Sequence, residues 1–426
     1  MRILIYSHGH PALSPGGAES ASYALFERLK SEPDVEVLYV AAGLEKLAGS
    51  GRETMFFRGK SDELLLSLPK VDPFSLCSED PRSVVERLDP IVREFRPDVI
   101  HMHHFLGVGL QAVPWLRSQA SALVLTLHEY LVLCHNHGQM IKTNGALCFR
   151  NSAAECAGCF PEKGVAAFFA REMVFSEYLE AVDRFVSPSR FMLERFCPSP
   201  RWSEVRFQQI DNILAPAASG DGTFGNRRKG DKLRLGFFGR YTSYKGLDVL
   251  LEAISRLKPS YRKRLSVGVH GGGLESQPTE YRKKVRHLAS QSADAIVDHG
   301  PYLNSQAGRL MARYDWIVVP SIWWENSPVV IQEALAAGVP VICGDDGGMA
   351  EKVVDGVDGL HFSLGSSADL ADLLAAIIGG DVEAPKVDHR KVQSGSTQAF
   401  EEHLRLYREL AGSPNSVDRD QAQSAL

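Results

Sequence analysis

Two carboxylates eight residues apart, Glu325 and Glu333, bracket a helix start within WIVVPSIWWENSPVVIQEALAAGVPVICGD, residues 316 to 345. Trp316 to Val319 and Val339 to Cys343 are short apolar runs of the kind that form buried parallel strands. Between them Ser327 is a good N-cap, and Pro328 suits the first helical position, where a missing N–H costs nothing. Gly338 and Pro340 end the helix. Glu333 shares a face with Val329, Val330, Ala336 and Ala337, where a bare carboxylate is costly and calls for a hydrogen-bonded partner. The helix start offers free N–H groups and the positive end of a dipole. One small region thus joins an anion site to two acceptors for hydroxyl groups, the two features a nucleotide-sugar needs. The plain alternative is an ordinary βαβ unit with a surface Glu at each place.

Cations stand in the loop GRYTSYKG that follows the strand LRLGFFGR. Arg240 and Lys245 suit a diphosphate, the one by a planar fork and the other as a point charge; two solvated surface cations are the alternative. Near the N-terminus, Pro15-Gly16-Gly17 precedes a helix from about Ala18 to Leu29. Glycines there let backbone N–H groups approach a ligand, although the G-x-G-x-x-G dinucleotide fingerprint is absent. A plain turn competes with that reading. His103, His104 and His128 fall at strand carboxyl ends, where ligands bind in open α/β sheets. His103 and His104 read as core histidines, and His128 as a group that meets sugar hydroxyls or a developing charge. The loop Gly300-Pro301-Tyr302 is a candidate for the edge of a nucleobase. Cys134, Cys148, Cys156 and Cys159 could hold a tetrahedral structural zinc, with His135 and His137 as substitute ligands. Four unrelated reduced thiols, or a redox pair in the C-x-x-C, are the alternatives. Asp345-Asp346 lacks the spacer of a metal motif.

Positioning these residues takes more than one core. The chain has 426 residues, which makes two α/β domains the natural expectation. LRLGFFGR restarts the pattern of MRILIYSH after residues 215–232, APAASGDGTFGNRRKGDK, which read as a linker. The organisation expected is a first domain over 1–214 with a cysteine insert at 134–159 and a second over 233–395. A helix over 396–412 packs back on the first domain, and a tail over 413–426 reads as disordered. Residues 44 to 80 read as irregular, and Phe168, Phe169 and Phe175 as a core face, with membrane contact as the alternative. The net charge of −5, without a basic block, argues against nucleic acid as a partner. No run approaches a membrane span, and the N-terminus lacks the form of a signal peptide. A cytoplasmic chain, with peripheral membrane contact left as an option, is expected. Its seven cysteines are then mostly reduced.

The chain resembles retaining glycosyltransferases of family 4, which have the two-domain GT-B fold. PGGAES, GRYTSYKG, VPSIWWENSPVVIQEALAAGVPVI and GGMAEKVVDGVDGLHF carry the resemblance, which runs from Met1 to about Ala411. Glu325 to Glu333 matches the family's Glu-x7-Glu signature. The resemblance implies two Rossmann-like domains and transfer from a nucleotide-diphosphate sugar, UDP or GDP, to a glycan, lipid-linked or small-molecule acceptor. The setting implied is bacterial polysaccharide, lipopolysaccharide or glycoconjugate assembly, with chemistry that needs no metal. It gives Arg240 and Lys245 to the donor diphosphate, Glu333 to the ribose and Glu325 to the transferred sugar. Backbone groups of Asn326, Ser327, Pro328 and Val329 meet sugar hydroxyls and phosphate, Gly17 meets the diphosphate, and His128 lies near the anomeric carbon. Glu129 stands where Asp is more usual. A non-catalytic sugar-nucleotide-binding partner and an NAD-dependent oxidoreductase are the rival readings.

Overall fold

Apolar runs alternate with amphipathic helices along the chain, and in the computed structural model they build two separate parallel sheets. Residues cluster into two units, Met1–Ala215 with Ser396–Leu426, and Pro216–Gly395. The structure describes residues 1–14, 16–43, 53–196, 206–214 and 232–412. Pro15, nearly all of the expected linker and the expected tail lie outside the described residues.

The first unit contains β1 (Arg2–Ser7), β2 (Glu36–Ala42), β3 (Thr54–Phe56), β4 (Glu63–Leu66), β5 (Val99–Met102), β6 (Ala122–Thr126), β7 (Arg184–Ser187) and β8 (Phe207–Gln209). Their order across the sheet is β3-β4-β2-β1-β5-β6-β7-β8. Every pairing is parallel except β3 with β4. Residues 44 to 80 therefore include two strands that sequence reading left as irregular. Both faces are covered, which is why β5 and β6 are buried throughout and are mostly apolar rather than alternating. The helix Pro81–Phe95 shows the local logic: Asp80 Oδ1 accepts from the Ser83 N–H at 3.1 Å, and Val84, Leu88, Val92 and Phe95 form its buried stripe.

The last helix runs over His389–Ala411, so it begins before residue 396. Its Phe400, Leu404 and Tyr407 join Ile3, Leu25 and Val186 in the core of the first unit. Tyr407 Oη lies 2.6 Å from His101 Nδ1 on β5. In the helix Gly164–Leu179, Phe168 and Phe175 are buried as expected of a core face, but Phe169 is exposed together with Val165 and Met173. The three phenylalanines do not share a face, because 168 and 169 are consecutive and a helix turns about 100° per residue. No helix among the described residues is long and apolar enough to cross a membrane.

The second unit contains β9 (Leu233–Arg240), β10 (Leu265–Gly272), β11 (Ile296–Gly300), β12 (Trp316–Val319), β13 (Val341–Gly344) and β14 (Gly359–Phe362), all parallel in the order β11-β10-β9-β12-β13-β14. Successive side chains go to opposite faces. Trp316 and Val318 join Leu250, Ile254 and Leu374 on one side, while Ile317 and Val319 join Met311, Ile331 and Leu335 on the other. In each unit the strand order reverses at the first strand: β1 lies between β2 and β5, and β9 between β10 and β12. The connections diverge there, which leaves a crevice at the strand carboxyl ends, the usual ligand position of open α/β sheets.

Candidate active site

In the second unit two loops meet at the end of β9. The turn Ser243–Lys245 closes on Gly246, whose φ is +68°. A Cβ on Gly246 would lie 1.8 Å from the Pro320 carbonyl oxygen, so only glycine permits this approach. The Ile322 N–H donates to the Tyr244 carbonyl at 3.0 Å and ties the two loops together. Lys245 Nζ consequently reaches Glu325 Oε1 at 2.5 Å, and the Ser321 hydroxyl donates to the same oxygen at 2.7 Å. Glu325 and Ser321 are buried, whereas a third of the Lys245 side chain is exposed, over the Trp323 ring. Sequence reading assigned Lys245 and Glu325 to different tasks; here they are a bonded pair.

The far side of the same loop is held by the two glycines that open the short helix Gly347–Lys352. A Cβ on Gly348 would lie 1.4 Å from the Asn326 carbonyl oxygen, and the Gly348 N–H donates to the Glu325 carbonyl at 2.7 Å. Trp324 Nε1 donates to Asp346 Oδ2 at 2.8 Å, while Asp346 Oδ1 accepts from the Gly347 N–H. Asp345 accepts from the Leu364 N–H at 2.9 Å. Both acids thus anchor backbone. Asn326 and Ser327 are buried in this loop. The next helix spans Val329–Ala336 with Pro328, not Ser327, at the N-cap and no side-chain cap bond there. The proline stands one position earlier than the sequence suggests, and the N-cap residue has no side-chain acceptor for the first turn.

Glu333 is half-buried on that helix, and burial pushes its carboxyl up to about 7. No side chain or backbone group among the described residues bonds to it, so the partner demanded by the sequence is not supplied by the unit itself. Tyr302 packs against Phe238, and burial followed by the Glu333 charge pushes its hydroxyl above the usual range. Arg240 is exposed at the end of β9, with no ion pair among the described residues. One neighbouring feature has no signature in the sequence. The His270 ring stacks between Phe238 and His299, with centroids 4.4 and 4.5 Å away, and its Nε2 lies 2.6 Å from Tyr314 Oη. Burial first, then the neighbouring His299 and Arg313, bring its pKa down to about 4. Only the register of β9, β10 and β11 brings these rings together.

In the first unit the loop after β1 is pinned by His10, whose Nε2 lies 3.1 Å from Glu63 Oε2 on β4. Burial alone would raise Glu63, but His10, Lys60 and Tyr23 hold it at about 2. This acid was missed because β4 was missed. The helix Gly17–Leu29 starts at Gly17. Gly17 has open space where a Cβ would be, whereas at Gly16 a Cβ would meet Glu19 Oε2 at 2.3 Å. Glu19 also lies 3.3 Å from His8 Nε2. The turn expected to bind an anion therefore already carries a carboxylate over Gly16.

His128 is half-buried at the end of β6, with Nε2 3.0 Å from Nδ1 of buried His103. Burial brings His128 down to about 3 and leaves His103 well below the histidine range. His103 Nε2 is buried without a hydrogen bond. His104 Nε2 lies 3.2 Å from Glu129 Oε1, and burial raises the Glu129 carboxyl to about 8. His103 and His104 are buried as the sequence suggests, yet they are the groups that hold His128 and Glu129. The four cysteines lie elsewhere in this unit, around one pocket with His135; His137 does not line it. Among the described residues, no three His, Cys, Asp or Glu side chains stand together at metal-binding spacing.

Residues 223–391 match the family of Glycosyl transferases group 1. The D-inositol 3-phosphate glycosyltransferase of Geodermatophilus obscurus is 31% identical over 336 residues, 70% of this chain and 72% of that protein. A lipopolysaccharide 1,2-N-acetylglucosaminetransferase of Salmonella typhimurium is 31% identical over 135 residues, 31% of this chain and 35% of that protein. Among solved structures, sucrose-phosphate synthase from Thermosynechococcus elongatus superposes with a TM-score of 0.68 at 19% identity, covering 96% of this chain and 98% of that one. Anabaena Alr3699/HepE in complex with UDP and glucose does so with a TM-score of 0.63 at 16% identity, covering 96% and 99%. The fold they share with this chain is GT-B.

Proposed function

The chain belongs to the group 1 glycosyl transferases, and from that premise we propose that it is a retaining family 4 enzyme transferring sugar from a nucleoside-diphosphate donor. The observation that carries this reading is the pair Lys245–Glu325 with an unpartnered Glu333 eight residues on. Lys245 and Arg240 neutralise the charge that grows on the departing diphosphate, with the helix start at Val329 adding its N–H groups. Two cations, Lys245 held by Glu325 and Arg240 free to move onto the ligand, can do what a divalent ion does elsewhere, so transfer proceeds without added Mg²⁺. Glu333 accepts from the ribose hydroxyls, which supplies the partner it lacks. Backbone around Asn326, Ser327 and Pro328 meets sugar hydroxyls, and Tyr302 borders the base. Glu325 orients Lys245 and meets the transferred sugar.

The unit of residues 1–214 takes the acceptor side, with His128 held by His103, and Gly16–Gly17 at the diphosphate. Residues 233–395 take the donor. The oxocarbenium-like transition state is met by these groups, and exclusion of water limits donor hydrolysis. UDP is the first nucleotide to test, because Anabaena Alr3699/HepE is solved with it. The acceptor is a glycan, a lipid-linked sugar or a small molecule, in bacterial polysaccharide, lipopolysaccharide or glycoconjugate assembly; the names of the relatives, a D-inositol 3-phosphate glycosyltransferase and a lipopolysaccharide 1,2-N-acetylglucosaminetransferase, span that range. The apolar stripe Val165, Phe169 and Met173 supports peripheral membrane contact. Thermal shift across UDP-, GDP- and other NDP-sugars identifies the donor, since a bound ligand raises apparent stability by mass action. NMR of the product then reads the anomeric configuration. An inverted product, or NADH binding in place of any sugar nucleotide, refutes the proposal.

A further inference from the structure

We propose that Cys134, Cys148, Cys156 and Cys159 are the thiolate ligands of a structural zinc ion that closes the insert 134–159 of the first unit. Three separate pieces of backbone deliver them. Cys134 ends a turn in which its N–H donates to the Tyr130 carbonyl at 2.7 Å. Cys148 follows a tight hairpin, with Ile141 bridged to Leu147 and the Cys148 N–H on the Met140 carbonyl at 2.7 Å. Cys156 and Cys159 sit three apart on the helix Ala153–Cys159, hence on one face. That helix is capped by Ser152, and all four side chains line a single pocket. All four are free thiols, and the other free cysteines described, Cys77 and Cys343, do not line it.

Two further observations favour a metal over unrelated thiols. First, the helix Ala153–Cys159 has seven residues and buries none of them. A helix this short is marginal without tertiary packing, and metal ligation supplies what apolar burial does not. Secondly, Arg171 is buried with no carboxylate ion pair among the described residues. Its guanidinium donates only to the carbonyls of Phe74, Val132 and Leu131, at 2.8, 3.3 and 2.7 Å. It lies close enough to Cys134 and Cys156 to sense their charge, and Lys142 does the same for Cys148 and Cys159. Four thiolates on one Zn²⁺ leave a net charge of about −2; Arg171 offsets part of it, while Lys142 is shared with Glu155, whose Oε2 lies 2.8 Å from its Nζ. Because no three of the ligands yet stand at metal-binding spacing, loading draws the hairpin and the short helix inward, with release of the thiol protons.

The test uses the full chain, stripped of metal under reducing conditions and titrated with Co²⁺ and then Zn²⁺. The expected result is about one equivalent of cobalt with the thiolate charge-transfer bands of a tetrahedral site, displaced by zinc. A Cys156→Ser/Cys159→Ser variant is expected to lose these bands, and Cys77→Ala to keep them. Limited proteolysis within 134–159 is expected to slow on loading. Stripped, reduced wild type that takes up no cobalt overturns the proposal, and so does unchanged binding by the double variant. If the double variant fails to fold, as judged by far-UV circular dichroism, the wild-type titration alone decides.

Discussion

Lys245 Nζ stands 2.5 Å from Glu325 Oε1, across eighty residues of sequence, and Ser321 donates to the same oxygen. The pair fixes the position of the cation before any ligand arrives, so little reorganisation is needed when charge develops beside it. The same bond neutralises a carboxylate buried at the base of the loop.

Lys245→Ala is therefore expected to weaken donor affinity about 10- to 100-fold, roughly 1.4–2.7 kcal/mol, measured by calorimetry with the matched sugar nucleotide. Glu325→Gln retains an oxygen for Ser321 and frees the Lys245 charge. It is expected to hold nucleoside-diphosphate affinity while lowering transfer. Unchanged donor affinity in Lys245→Ala removes Lys245 from the diphosphate site.

Two glycines test whether the loop geometry matters as a whole. Gly246→Ala places a Cβ 1.8 Å from a carbonyl oxygen, at a φ of +68° that L side chains avoid. We expect it to destabilise the second unit by more than about 1 kcal/mol and to lose donor binding with it. Gly17→Ala is the contrast, because its Cβ meets nothing within 4 Å. Its stability is expected to hold or to rise by about 0.5–1 kcal/mol, as for Gly to Ala in a helix. A loss of transfer in that variant then reports ligand contact at Gly17 rather than misfolding.

Much of this was legible beforehand, and the exceptions share a cause. Apolar runs gave the central strands, and the Lys245 and Glu325 singled out at strand ends lie on loops that meet there. What escaped depends on contacts distant in sequence. β4 looks like loop because Glu63 begins it, and only His10, Tyr23 and Lys60 make that buried acid tolerable. His103 looked like plain core until His128, from the next strand, was seen to bond to it. The Lys245–Glu325 bond and the His270 stack follow from strand order, which composition and periodicity do not encode.

Histidines of the first unit give it a definite response to acid. His101, His103, His104, His128 and His403 are all lowered, chiefly by burial. A histidine that is neutral when folded but takes a proton near 6.5 when unfolded favours the unfolded chain as pH falls. The stability is fully present above about 6.5 and is lost progressively below it. Each independent group contributes about 1.4 kcal/mol between pH 7.5 and 5.5, and their mutual contacts make the sum smaller. The urea midpoint of the first unit's transition is expected to fall over that range, and His101→Asn to reduce the fall. Glu129, raised to about 8, works in the opposite direction over this range, so it is a pH response left unchanged by His101→Asn that contradicts these burials.

Glu333 predicts the opposite sign in the second unit. Its carboxyl is raised to about 7, above the ordinary 4.5. The folded state therefore holds a proton that the unfolded chain releases, so this contribution is fully present below about 4.5 and is lost as pH rises through 7. The full shift corresponds to an upper bound of about 3 kcal/mol. Glu333→Gln, which keeps the neutral form, is expected to stabilise the free second unit at pH 8 and to leave it unchanged at pH 4.5. Donor binding couples to the same proton. Ribose hydroxyls donate to an ionised carboxylate, so affinity for a sugar nucleotide is expected to rise between pH 5.5 and 7.5 with net proton release. Calorimetry in two buffers of different ionisation enthalpy reads that proton directly, and the donor's diphosphate diester has no group titrating in the window. Proton release that persists in Glu333→Gln assigns it to another group and removes Glu333 from the ribose site.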